Sequence, residues 1–101
     1  MQVLQTRFFA RFARRAGIRA ADLRTAADRL ANGLVDADIG GGLVKQRIAR
    51  ANAGRSGGFR TILAFRLGNL AVFVYGFAKN ERDNISADDL RELFRTETSS
   101  R

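Results

Sequence analysis

The chain has 101 residues, 46% of them hydrophobic, and a formal charge of +8 from 18 basic and 10 acidic side chains. That hydrophobic share excludes a disordered polyelectrolyte, and the length suits one domain with a thin core. Cysteine and histidine are both absent. Their absence removes disulfide staples, thiol chemistry, the commonest general base and the commonest transition-metal ligand together. No acidic cluster has the spacing of an all-oxygen metal loop, so no metal or cofactor is expected. Sixteen of the basic residues are arginine and two are lysine. The planar guanidinium fork matches phosphate oxygens in pairs, so the bias points to a polyanionic partner. The longest apolar run, Leu70 to Phe77, is too short to span a bilayer, so no membrane association is expected. Five arginines and no acid occupy residues 7–19, which interrupts any secretory signal. This composition superficially matches an organellar transit peptide, but the same residues supply core positions, and a cytoplasmic protein is expected.

Gln2 to Gln5 alternate weakly and are expected to form a first strand, with Thr6 capping the helix after it. Phe8, Phe9, Phe12, Ala13 and Ala16 fall at helical spacing and make one apolar stripe, which Gly17 terminates. A second helix is predicted from about Arg19 to Asn32, with Ile18, Leu23, Ala26, Ala27, Leu30 and Leu34 on its apolar side. Its alanines suggest close approach to another element, and the two helices are expected to lie as a hairpin on a sheet. Val35 to Gly42 is expected to be a connector. Leu43 to Ala49 is the second predicted strand, with Lys45 and Arg47 on one face and Val44 and Ile48 on the other. Residues 50–58 are read as a loop. Phe59 to Arg66 is the third strand, with Arg60, Ile62, Ala64 and Arg66 opposite Phe59, Thr61, Leu63 and Phe65. Gly68-Asn69 marks a tight hairpin, and Leu70 to Phe77 a fourth strand covered on both faces. Lys79 to Asn84 reads as a polar turn. Ser86 to Asp89 begins a capped C-terminal helix carrying Leu90, Leu93 and Phe94. The expected domain is residues 1–95, with a flexible tail over 96–101. The fold class is α+β: a small twisted antiparallel sheet, an N-terminal helical hairpin packed on it and a short C-terminal helix.

Between residues 40 and 66 there are six cations and no acid. Lys45, Arg47 and Arg60 fall on neighbouring strands, with Arg50 and Arg55 on the loop that joins them. This pattern suits a phosphate cradle for nucleic acid; its plain alternative is the solvated face of an ordinary sheet. Gly40-Gly41-Gly42 and Gly54 to Gly58 are either anion-binding backbone nests or turn glycines, and the turn reading is the commoner one. Arg7, Arg11, Arg14 and Arg15 are a second nucleic-acid or lipid face, a docking site for an acidic partner, or a solvated helix face. Most of the eight phenylalanines are assigned to the core. Tyr75, the only tyrosine, is expected under a helix. Cleavage of RNA by its own 2′-OH needs a base, charge stabilisation at phosphorus and an acid. Arginine stabilises charge but cannot act as base, which leaves Lys45 and Lys79 as candidates for proton transfer.

Three blocks together carry a resemblance. They are Asp36 to Gly42 with Lys45 to Ala49, then Gly54 to Thr61, and finally Phe73 to Ile85. With the order strand, two helices, three-stranded meander and tail helix, residues 2–95 resemble the RelE/ParE superfamily of bacterial toxins from type II toxin–antitoxin systems, closest to the HigB-like RelE branch. The resemblance implies a RelE-like fold and a ribosome-dependent mRNA endoribonuclease, an mRNA interferase that inhibits translation and is held inactive by an antitoxin. That antitoxin is expected to be a helix-turn-helix DNA-binding protein. Arg60 matches the arginine that stabilises the cleaved phosphate in the family. Lys45 and Arg47 match its basic pair, and Lys79 to Arg82 its basic cluster after the last strand. The implied catalytic residues are therefore Arg60, Lys45, Arg47 and Lys79, with Arg50, Arg55 and Arg82 holding RNA. Asn80 and Ser86 depart from the pattern, which has a catalytic arginine and a tyrosine there. The alternatives are a non-catalytic nucleic-acid or antitoxin-binding module and a ParE-like gyrase inhibitor.

Overall fold

The computed structural model describes residues 2–49, 58–66 and 69–78, together with Asp88, Asp89, Glu92 and Arg95. Its elements are β1 (Gln2–Gln5), α1 (Arg7–Ala16), α2 (Ala20–Ala31), β2 (Ala37–Gly40), β3 (Leu43–Ala49), β4 (Gly58–Arg66) and β5 (Leu70–Ala78). They form a five-stranded sheet in the order β1-β5-β4-β3-β2. The β2–β5 pairs are antiparallel, and β1 lies parallel to β5. The fold class is α+β, as expected from the sequence. Asp88, Asp89, Glu92 and Arg95 are helical and exposed. Ser86, Leu90, Leu93, Phe94, Gly68 and the turn at 79–84 lie outside the described residues.

Both helix starts are set by local chemistry. Thr6 caps α1: its hydroxyl oxygen accepts a hydrogen bond from the Phe9 amide at 3.0 Å, satisfying a donor that the first helical turn leaves open. The same hydroxyl donates to the Val74 carbonyl at 2.9 Å, and the Thr6 amide donates to the Phe73 carbonyl at 3.0 Å. One buried threonine thus joins β1, α1 and β5. Replacing Thr6 with valine keeps its shape and removes these side-chain bonds. Chemical denaturation should show a loss of about 2 kcal/mol, which serine restores in large part. At the start of α2 the Asp22 carboxylate accepts from the Arg19 amide at 2.9 Å. Gly17 ends α1 at φ 74° and Gly33 follows α2 at φ 77°, the left-handed conformation that glycine adopts without steric cost.

The helices cover one face of the sheet. Phe9, Phe12, Ala13, Leu23, Ala26, Ala27 and Leu30 pack there on Val44, Ile48, Phe59, Leu63, Ala71 and Phe73. The opposite face holds a second apolar cluster, Leu43, Ile62, Ala64, Val72 and Val74. Gln46 is fully buried on the helix side. Its amide donates to the carbonyls of Ala26 (3.1 Å) and Leu34 (2.9 Å) and accepts from the Asp36 amide (3.1 Å). It ties α2 and the following connector to β3, so its polarity is compensated bond by bond.

Several sequence expectations are corrected. Residues 35–42 are not only a connector, because Ala37–Gly40 pairs with β3 and makes a fifth strand. Little in its composition favours a strand. The pairing rests on the two-residue turn Gly41-Gly42, both at positive φ (63° and 81°), the conformation whose twist matches a hairpin. Those glycines therefore act as turn residues. The sheet is mixed, since β1 runs parallel to β5. Leu34 is 57% exposed and lies outside the core, because the chain turns at Gly33 before it can complete the helical stripe. Phe8 also leaves that stripe and stays partly in water.

Candidate nucleic-acid interface

Between β3 and β4 the register is regular. Leu43 pairs with Ala64, Lys45 with Ile62 and Arg47 with Arg60. All six residues share the face away from the helices, since their neighbours Val44, Ile48, Phe59 and Leu63 are in the helix-side core. That face is therefore divided along the strands. The end at Leu43 and Ala64 is apolar and buried, and the end at Arg47 and Arg60 is cationic.

Arg47 and Arg60 are direct cross-strand partners. Like charges in that position repel. Arg47 is exposed and Arg60 is half-buried, and the Nη1 atom of Arg60 is buried without a hydrogen-bond partner. A buried guanidinium nitrogen with no acceptor is costly unless an anion arrives. The Asp36 carboxylate accepts from the Arg47 backbone amide at 2.6 Å and from Arg29 at 3.4 Å. Arg29 also donates to the Arg47 carbonyl at 3.4 Å. Asp36 and Arg29 thus hold the backbone of β3 at Arg47, just before β2 begins. A shallow groove between α2 and this part of β3 is lined by Asp22, Thr25, Ala26, Arg29, Arg47 and Ile48.

The three strand-borne cations of the expected site, Lys45, Arg47 and Arg60, are brought together. Arg50, Arg55, Lys79 and Arg82 lie outside the described residues. Arg7, Arg11, Arg14 and Arg15 are exposed on α1, on the helix side of the sheet.

The family model for the RelE toxin of the RelE/RelB toxin–antitoxin system matches residues 1–99. The chain belongs to the RelE toxin family. No curated protein matches the sequence. Membership makes this RelE toxin one half of a toxin–antitoxin system, with an antitoxin as its partner. Among the described residues no helix is long and apolar enough to cross a membrane.

Two aromatic residues of the RelE toxin depart from the places that residue order suggests, Tyr75 under a helix and Phe8 in the core. A β-bulge explains both. Ile62 pairs with Tyr75 and Leu63 with Phe73, so Val74 is an extra residue in β5. Alternation reverses there: Val74 and Tyr75 both join the second face, and Gly76 turns to the helices. Phe8, at the start of α1, reaches over the edge of β5 beyond the end of β1 and stacks on Tyr75, with ring centres 5.2 Å apart and planes at 22°. The signal available in the sequence is Gly76 itself, since a glycine within a strand often marks a bulge or a close approach.

Proposed function

We propose that this RelE toxin is an mRNA endoribonuclease that acts on the ribosome, stops translation, and is neutralised by a helix-turn-helix antitoxin. The observation that supports this most is the Arg47–Arg60 pair, two cations opposed across the strands, one with a guanidinium nitrogen buried without a hydrogen-bond partner. A scissile phosphate would supply the missing charge. The substrate's 2′-OH attacks phosphorus, a bond forms from O2′ to phosphorus, and the bond to the 5′ oxygen of the next nucleotide breaks. Arg60 holds the charge that builds on the phosphoryl oxygens. Arg47 positions the phosphate. Lys45 serves proton transfer to or from the reacting oxygens, with Lys79 as a second candidate. Arg50, Arg55 and Arg82 extend the RNA track. The nucleophile belongs to the substrate, so positioning and electrostatics carry the reaction.

Induced expression in a bacterial host, with 5′ ends of cellular mRNAs mapped within minutes, tests this reading. New ends inside translated codons, lost when translation is blocked, are the expected result. Growth arrest with intact mRNA and defective DNA supercoiling would replace it with gyrase inhibition. Arrest-free growth with soluble, folded protein would leave a non-catalytic binding module. A second expectation concerns salt. Phosphate contacts by Lys45, Arg47, Arg60, Arg50, Arg55 and Arg82 give a slope of about −4 in a plot of log affinity for single-stranded RNA against log salt. Removing Arg47 should flatten that slope by about 0.7.

A further inference from the structure

We infer that the groove between α2 and the end of β3 receives a guanine base from the RNA strand whose phosphates rest on Arg47 and Arg60. The inference rests on the phosphate-binding reading of that arginine pair and adds the base that the pair leaves unread.

Asp22, Thr25, Ala26 and Arg29 follow one another at helical spacing, so one face of α2 forms a wall of the groove. Arg47 and Ile48 close it from β3. Arg47 therefore belongs to two places, the cationic face of the sheet and the groove beside it. The cavity measures about 170 Å³, less than the roughly 300–1,000 Å³ that a whole small ligand fills. It suits one group of a larger ligand. Ala26 and Ile48 are buried and supply its apolar part. Its polar part carries both signs of charge, unlike the sheet face next to it, and so suits a neutral group with donors and acceptors. Each polar side chain keeps capacity for one. The Asp22 side chain is 23% exposed, and its Oδ2 atom accepts from the Arg19 amide at 2.9 Å and lies 3.7 Å from Arg19 Nε. Among the described residues its Oδ1 atom has no hydrogen-bond partner. Thr25 donates its hydroxyl proton to the Ala21 carbonyl at 3.0 Å, which leaves the oxygen as an acceptor. Arg29 holds the Arg47 carbonyl and the Asp36 carboxylate at 3.4 Å each, with N–H donors to spare. Guanine matches this set. Its O6 and N7 acceptors suit a guanidinium, and its N1–H and N2 amino donors suit a carboxylate in a paired contact. Adenine carries an amino donor where guanine has O6, and the pyrimidines offer the carboxylate a single donor group.

Three labelled uridylate strands of about ten units test the site, with guanosine, inosine or adenosine at one central position. The native protein should bind the guanosine strand roughly tenfold more tightly than the adenosine strand, the scale of one paired base contact. Inosine lacks the N2 amino group, and its strand should fall between them. Asp22→Asn keeps an acceptor for the Arg19 amide and removes the carboxylate. Asp22→Asn and Arg29→Gln, each verified as folded by its melting curve, should lose most of the preference. Arg60→Ala, which lies outside the groove, should weaken all three strands alike. Equal binding of the three strands by the native protein, or a preference for another base, would overturn the guanine site and leave the arginine reading standing, as would a preference that survives both groove variants. Unchanged affinities in Arg47→Ala and Arg60→Ala would overturn both readings. The guanosine strand should also shift the methyl NMR signals of Thr25, Ala26 and Ile48. Shifts confined to other methyl groups would overturn the groove as the place where the base binds.

Discussion

Arg60→Met should raise the melting temperature of this RelE toxin and abolish its growth arrest. The two effects share one cause. Arg60 faces Arg47 across the strands and buries its Nη1 atom without an acceptor, so the free protein holds a charge in a place that suits an anion. Methionine keeps the unbranched stem, which packs against the neighbouring strands, and removes the charge. Relief of cross-strand repulsion and of the unpaired nitrogen should stabilise the fold by about 1 kcal/mol. For a domain of this size that raises the midpoint by roughly 4–8 °C. On the proposed nuclease reading, loss of a donor to the transition-state phosphate should lower cleavage by about 10²–10³-fold. A scanning calorimetry trace and an induced-growth curve on the same variant check both halves. A variant that melted lower but stayed toxic would remove Arg60 from the site.

Gly76→Ala should be the most destabilising single-methyl change in the described sheet. A β-carbon there would overlap the Phe12 ring, at 2.6 Å from Cδ2 and closer still to Cε2, and would sit 3.0 Å from Phe9 Cε1. Neither ring can retreat freely. Phe9 also packs on Phe73 and Phe12, and Phe12 packs edge-on against Phe59. The cost of such overpacking is typically about 1–3 kcal/mol, and the upper end applies where aromatic rings are locked on both sides. The melting temperature should fall by roughly 10 °C or more. In a Phe12→Leu background the penalty of the added methyl should shrink, because the smaller side chain frees the space. An unchanged penalty in that background would mean that Phe12 is not what the methyl strikes.

Much of the cationic face could be read from residue order. The cations of β3 and β4 fall at period two, so Lys45, Arg47 and Arg60 had to share a face once the two strands paired in a hairpin. The alternation works because only one side of these strands faces the helices. β5 gave no such guide. It is apolar on both sides, and its buried pattern runs across four successive residues, Ala71 to Val74. Its alternation was therefore silent about the reversal at Val74, and with it about Tyr75 and Phe8. β2 was equally hidden, since Ala-Asp-Ile-Gly becomes a strand only by pairing with β3 across the glycine turn. Gln46 reads as one more polar strand residue, yet it is buried and holds α2 and the connector in place.

By itself the sequence determined the helix ends, through Thr6, Gly17 and Gly33, and the grouping of three cations on adjoining strands. These depend on neighbours a few residues apart, through a cap, a left-handed glycine or a two-residue repeat. Only the tertiary structure decided what lies on either side of β5 after Val74. Phe9 and Phe12 press on that strand from α1 and tolerate no side chain beneath them. The bulge answers this by placing Gly76 under the rings and sending Tyr75 to the arginine face. Thr6 holds the bulge by bonding both the Phe73 and the Val74 carbonyls, the latter from 68 positions away, a constraint that arises only when α1 and β5 meet.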